Sequence, residues 1–221
     1  MLEQRNWVVP DRVVVPGGNL GNSSSLGKGF KELYDLGFID RLPHLTIVQA
    51  EGAAPLYKTI TSDHPDKLVT VHAKTLATAI KIGRPVSWKK AKRAMEWTDG
   101  WVTRVGEQEI ADAKAVIGRD GIGCEPASAT TVAGLKKIVA EGTDEPIHPD
   151  EDVVVVLTGH LLKDPDYTVR YHLGELHEDY VVETKVIKKS GRIRPAYANR
   201  PIEVPADADA IVRVIEEHLR R

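Results

Sequence analysis

The sequence predicts an α/β fold: a largely parallel, twisted sheet with helices on both faces. Three observations predict it. Short β-branched runs alternate along the chain with segments of helical periodicity, the pattern of βαβ units in a doubly wound sheet. One run, residues 152–157 (Asp-Val-Val-Val-Val-Leu), is apolar without alternation, as suits a parallel strand covered on both faces. The first strand signal also passes through a Gly/Asn/Ser turn straight into a helix, a connection that gathers backbone N–H groups at a helix start.

Taken in order, residues 12–15 (Arg-Val-Val-Val) predict a buried strand. The turn Pro16-Gly17-Gly18-Asn19-Leu20-Gly21-Asn22-Ser23-Ser24-Ser25 follows, and Leu26, Phe30, Leu33 and Leu36 then recur at helical spacing. Asn22 or Ser23 is the expected helix cap. By shape the turn is either a phosphate cradle or an ordinary strand-to-helix loop. It contains neither G-x-x-x-x-G-K-[ST] nor G-x-G-x-x-G, which excludes a nucleotide-hydrolysing P-loop and the dinucleotide fingerprint. Residues 45–50 predict a second strand, and residues 75–82 a short helix closed by Gly83-Arg84-Pro85. A basic amphipathic helix over 88–97 has Ser87 as its cap, with its Lys89–Arg93 cluster read as a solvated face. A strand over 101–105 and a helix over 106–117 come next, then a helix over 126–141 with Pro126 suited to its first turn. Residues 158–165 after the last strand read as a terminating turn, and 207–219 as a final helix.

Composition narrows the function classes. The chain has 221 residues, enough for a sizeable core, and its net charge of -2 gives no electrostatic case for nucleic acid or an anionic membrane. Cys124 is its only cysteine, which excludes an internal disulfide and fits a reducing compartment. No apolar run approaches a membrane span, and residues 1–6 are not patterned as a signal peptide. A cytoplasmic protein is the expectation.

Two further constellations sit where a parallel sheet places its ligands, at strand ends and helix starts: Cys124-Glu125-Pro126-Ala127-Ser128-Ala129 and Thr158-Gly159-His160-Leu161-Leu162-Lys163-Asp164-Pro165. Alone, the first could be a helix cap and the second a turn. Together with Pro-Gly-Gly-Asn-Leu-Gly-Asn, in this order, they resemble the threonine synthase family, pyridoxal-phosphate enzymes of fold type II (tryptophan synthase beta-like). Residues 75–85 followed by Trp88, and Val105-Gly106-Glu107-Gln108-Glu109-Ile110, carry the same likeness, which spans roughly residues 8–175. The Thr-Gly-His-x-Leu-Lys-Asp-Pro segment favours this family over a dehydratase or cysteine synthase.

The resemblance implies the C-terminal part of such an enzyme: a cofactor-binding α/β domain over residues 1–175, and a C-terminal strand/helix extension over 176–221 packed on it. It implies pyridoxal 5'-phosphate as cofactor, its phosphate ringed by backbone N–H groups of Gly18, Asn19, Leu20, Gly21 and Asn22. Thr158 would offer its hydroxyl to the pyridine nitrogen, and Glu125 and Ser128 would lie near cofactor and substrate. His160 and Lys163 match the motif without a derivable role. No metal is expected. The implied reaction, in threonine biosynthesis, converts O-phospho-L-homoserine and water to L-threonine and phosphate. The family's Schiff-base lysine belongs to a Ser-Phe-Lys-Asp-type motif well before the phosphate loop, and here that loop begins at residue 16. The expectation is therefore that no catalytic lysine lies in this chain and that activity needs an N-terminal half, possibly a separate chain, in a homo-oligomer. The alternatives are a non-catalytic cofactor- or phosphate-binding fragment and a serine/threonine dehydratase-like lyase.

Overall fold

Parallel pairing organises the chain. In the computed structural model, residues 1–141, 147–178 and 191–220 are described. Among them, β1 (Arg12–Pro16), β2 (His44–Ala50), β3 (Trp101–Val105) and β4 (Val153–Val155) form one sheet in the order β3-β2-β1-β4, with every neighbour parallel. The β1 register sets Val15 beside Ile47 and Val14 beside Val155. Its three valines are completely buried, because successive side chains enter opposite layers and both layers are occupied. Each such side chain contributes about 1.5–3 kcal/mol of burial free energy.

One layer holds α1 (Gly21–Asp35), α2 (Pro55–Ile60) and α3 (Trp88–Trp97), whose Phe30, Leu56, Ala91 and Ala94 pack on Val13, Val15, Leu45 and Ile47. The other holds α4 (Glu107–Arg119) and α5 (Pro126–Glu141), whose Ile110, Ala129 and Ala133 cover Val14, Val48 and Val105. A smaller cluster joins α4 to α6 (Pro165–Leu173) through Ala111, Ala115, Tyr167 and Tyr171, closed by Leu176 and Ile193. The last helix, α7 (Ala208–Leu219), starts with the Asp207 carboxylate accepting from Ala210 N–H and buries no residue. Among the described residues no helix is long and apolar enough to cross a membrane.

The expected α/β architecture stands, with local corrections. The run over 152–157 is not buried on both faces: β4 keeps three residues, all half-buried, at the sheet edge. Residues 75–82 form only a single 3-10 turn at Thr78–Ile80, since Gly83 lies hard against the Val71 carbonyl and turns the chain away. Neither Asn22 nor Ser23 caps α1; both lie within it, and Leu20 precedes it with no side-chain cap. Ser87 does precede α3, but through its carbonyl, which accepts from Ala91 N–H, rather than its hydroxyl. The turn expected over 158–165 runs into α6, a helix the periodicity did not announce. Of the 176–221 extension, residues 179–190 and 221 lie outside the described residues.

Candidate active site at the carboxyl ends of the strands

The loop after β1 is held from below. Gly17 N–H donates to the Val48 carbonyl at 2.7 Å, and the buried Gln49 amide donates to the Gly17 carbonyl at 3.0 Å. Gly17 has no side chain because a Cβ would stand 2.7 Å from Ile47 Cγ2. Leu20 then takes the left-handed conformation at φ 66, a strained choice for leucine that its near-complete burial maintains. The result is a turn whose amides stay unpaired. The N–H groups of Gly18, Asn19, Leu20, Gly21, Asn22 and Ser23 find no acceptor among the described residues, and Ser24 N–H is the first to close, onto the Leu20 carbonyl at 3.1 Å. The buried Ser23 hydroxyl is likewise unpartnered. Six amides, an orphaned hydroxyl and the positive end of a 15-residue helix dipole make a seat for an anion. The Asn19 side chain is spent otherwise, its Oδ1 accepting from Val86 N–H at 2.8 Å.

A cavity of about 310 Å³ opens over this turn, with Gly18 through Asn22 on one side and Glu125, Ala127 and Thr158 on the other. The 3-10 turn supplies a third wall through Ala79 and Ile80; a Cβ on Gly18 would come within 3.1 Å of both. A Cβ on Gly21, by contrast, would meet nothing within 4 Å. The space above the amides is therefore open to a ligand atom rather than filled by protein.

Opposite the cradle, three side chains from two segments form a directed relay. Ser128, fully buried in the first turn of α5, accepts from Thr158 N–H at 2.8 Å and Gly159 N–H at 3.1 Å. With its oxygen so engaged, its own hydrogen is available to the Thr158 hydroxyl, 2.9 Å away. The Thr158 hydroxyl donates in turn to Glu125 Oε1 at 3.2 Å. Glu125, nearly buried, has its second oxygen 2.8 Å from Lys163 Nζ, and that contact holds the lysine pKa above its ordinary value. Gly159 is glycine because a Cβ there would stand 2.2 Å from the Glu125 carboxyl carbon.

All the residues singled out from the sequence thus come together: Gly18, Asn19, Leu20, Gly21, Asn22, Glu125 and Thr158 line the cavity, and Ser128 lies beneath Thr158. Lys163, which had no derivable role, is the counter-ion of Glu125. His160 stays exposed, its Nδ1 accepting from Leu162 N–H within the turn. The wall at Ala79 and Ile80 was missed, since apolar residues in a short turn carry no chemical signature. A larger apolar groove of about 570 Å³, lined by Leu2, Trp7, Leu26, Phe30 and Val156, has no catalytic grouping in it. Among the described residues no cluster of His, Cys, Asp and Glu could hold a metal ion.

Comparison with known proteins follows the same line. A family profile described as pyridoxal-phosphate dependent enzyme matches residues 1–159. The threonine synthase of Methanocaldococcus jannaschii is 46% identical over 171 residues, covering 77% of this chain and 42% of its own length. Threonine synthase 2, chloroplastic, of Arabidopsis thaliana is 35% identical over 221 residues, 100% of this chain and 40% of its own. The chain therefore spans about two fifths of the length of these relatives. Among solved structures, a fungal L-serine ammonia-lyase from Rhizomucor miehei superposes with TM-score 0.60 at 19% identity, covering 75% of this chain and 51% of that one. The threonine synthase from Escherichia coli superposes with TM-score 0.55 at 17% identity, covering 95% and 44%. At such identities the two structures share the fold.

Proposed function

Since the chain belongs to the pyridoxal-phosphate dependent enzyme family, we propose that it forms the phosphate-holding part of a threonine synthase, converting O-phospho-L-homoserine and water to L-threonine and phosphate. The observation that carries this reading is the meeting, in one cavity, of the unpaired amides of residues 18–23 with the Ser128–Thr158–Glu125 relay. The relatives named threonine synthase support this choice of reaction.

The residues present fit the cofactor. The amides of Gly18 through Ser23 would hold its phosphate, whose oxygens would give charge-assisted bonds to these otherwise unpaired donors. The bound cofactor supplies an electron sink for carbanion chemistry at the substrate. Thr158, whose hydroxyl is held by Ser128, would offer that hydroxyl to the pyridine nitrogen. Its bond to Glu125 is the longest of the set, so turning that hydrogen from the carboxylate to a ring nitrogen costs little. A neutral hydroxyl does not hold a ring nitrogen protonated, which moderates the electron sink. Glu125 and Lys163 neutralise one another, leaving no net charge at that wall.

Among the described residues no lysine lines the cavity. The covalent attachment of the cofactor is therefore assigned to a lysine from a further segment, in the same polypeptide or a separate one. The assembled enzyme is taken as a cytoplasmic homo-oligomer, with residues 1–175 as its cofactor-binding domain and 176–221 as an extension. To test the reading, the chain is combined with the part of the M. jannaschii threonine synthase that precedes the matched region, and phosphate release from O-phospho-L-homoserine is measured. Release that requires both pieces and added cofactor is the expected result. Release by the chain alone, or ammonia from L-serine without phosphate release, overturns it.

A further inference from the structure

We propose that the chain carries a second small-molecule site: the cavity between α4, α6 and the Gly123–Cys124 turn binds a small monocarboxylate, held by the Lys114 ammonium and the Tyr167 and Thr168 hydroxyls. The cavity measures about 180 Å³ and lies behind the candidate active site. The segments at Cys124-Glu125 and Thr158 to Leu161 separate the two, turning Cys124 and Leu161 one way, Glu125 and Thr158 the other.

Lys114 is 8% exposed, yet its ammonium makes no hydrogen bond or ion pair among the described residues. A lysine so buried is almost always paired. Tyr167 is 6% exposed, and among the described residues neither its hydroxyl nor the buried Thr168 hydroxyl has a hydrogen-bond partner. His172 Nδ1 accepts from Asn199 N–H at 2.8 Å, which leaves the N–H of its neutral ring at Nε2, a further donor in the same wall. Of the carboxylates nearest these groups, Glu107, beside Tyr167, accepts from Leu76 N–H at 3.3 Å, Asp112 from the Tyr171 hydroxyl at 2.5 Å, and Asp164 from Thr78 at 2.9 Å, and none bonds to the Tyr167 or Thr168 hydroxyl. Burial lowers the Lys114 pKa despite the pull of Cys124 and Asp164, so an anion beside it relieves a standing cost.

The composition of the wall selects the ligand class. One full positive charge matches a singly charged carboxylate better than a dianion. The remaining surface, Leu161 and the Tyr171 ring, suits a short apolar tail. This inference does not rest on the proposed reaction.

Sodium butyrate serves as probe and butyramide as its uncharged isostere, with binding to the full chain followed by saturation-transfer NMR and calorimetry. Butyrate is expected to bind and butyramide not. Lys114→Met should weaken butyrate about ten- to hundredfold, and Tyr167→Phe about three- to tenfold, the loss of a charged and of a neutral hydrogen bond. Thermal unfolding checks that Lys114→Met folds; if it does not, the Tyr167→Phe and butyramide arms decide. Equal binding of the two probes, unchanged affinity in both variants, or no binding at about 20 mM overturns the proposal. So does butyrate binding that disappears in Gly21→Asp, which would seat the anion in the phosphate cradle instead.

Discussion

Ser128 Oγ takes two backbone N–H groups and gives its hydrogen to Thr158, so one hydroxyl fixes both the turn and the side chain above it. Leaving a buried donor unsatisfied costs about 1–3 kcal/mol. Ser128→Ala is therefore expected to lower unfolding free energy by about 2 kcal/mol in urea titrations and to weaken pyridoxal-phosphate binding. An unchanged midpoint with unchanged affinity would show that the two amides find other acceptors. Gly21 allows the two effects to be separated. A Cβ there meets nothing, and an acidic residue in a first helical turn stabilises by about 0.3–1 kcal/mol. Gly21→Asp should accordingly keep or raise thermal stability while abolishing cofactor binding, because its carboxylate enters the phosphate seat. Loss of fold together with loss of binding would defeat that expectation.

Helix packing places opposite demands on two glycines of α1. A Cβ on Gly27 would lie 2.3 Å from Ala94 Cβ on α3, whereas Gly29 faces open space. Replacing a mid-helix glycine by alanine gains about 1 kcal/mol of propensity, but overpacking a tight contact costs about 1–3 kcal/mol. The balance predicts that Gly29→Ala raises the melting temperature and Gly27→Ala lowers it; two shifts of the same sign would refute the close α1–α3 contact. Elements with strong local signals were legible. The bounds expected for β3 and α5 match the structure, the latter because Pro126 opens the helix. The valine run of β4 misled, since an apolar composition cannot tell a central strand from an edge strand with one neighbour. Helix α6 was missed although Tyr167 and Tyr171 stand four apart, because Asp164-Pro165 reads equally as a turn and as a helix start. The site was legible through its glycines and hydroxyls; the Lys163–Glu125 pair was not, since residues 38 apart in sequence meet only through the sheet.

At the scale of the molecule, Arg12 ties the sheet together. Its Nε lies 3.0 Å from Oε2 of the part-buried Glu151, just before β4, and its guanidinium donates to the buried Thr46 Oγ1 of β2 at 3.0 Å. Burial raises the Glu151 pKa, but the Arg12 guanidinium and the His148 amide together outweigh it and leave the group below its ordinary value. A carboxylate with a depressed folded-state pKa stabilises fully above its unfolded value and loses that contribution as pH falls through the folded one. The urea midpoint should therefore decline below about pH 4.3. Arg12→Met, which removes the partner of the part-buried Glu151, should cost about 1 kcal/mol at pH 7 and flatten part of the acid decline. A variant with the full acid slope would assign that slope to other carboxylates.

The uncapped start of α1 couples the ligand to the stability of the chain. With no side chain to close its first turn, the helix leaves that place to a phosphate group, and occupancy then registers as a shift in the folding equilibrium. Inorganic phosphate at ten times its dissociation constant would add about 1.4 kcal/mol. A plain melting curve in phosphate, compared with one in chloride of equal ionic strength, would measure this seat without the cofactor, the substrate or any partner chain.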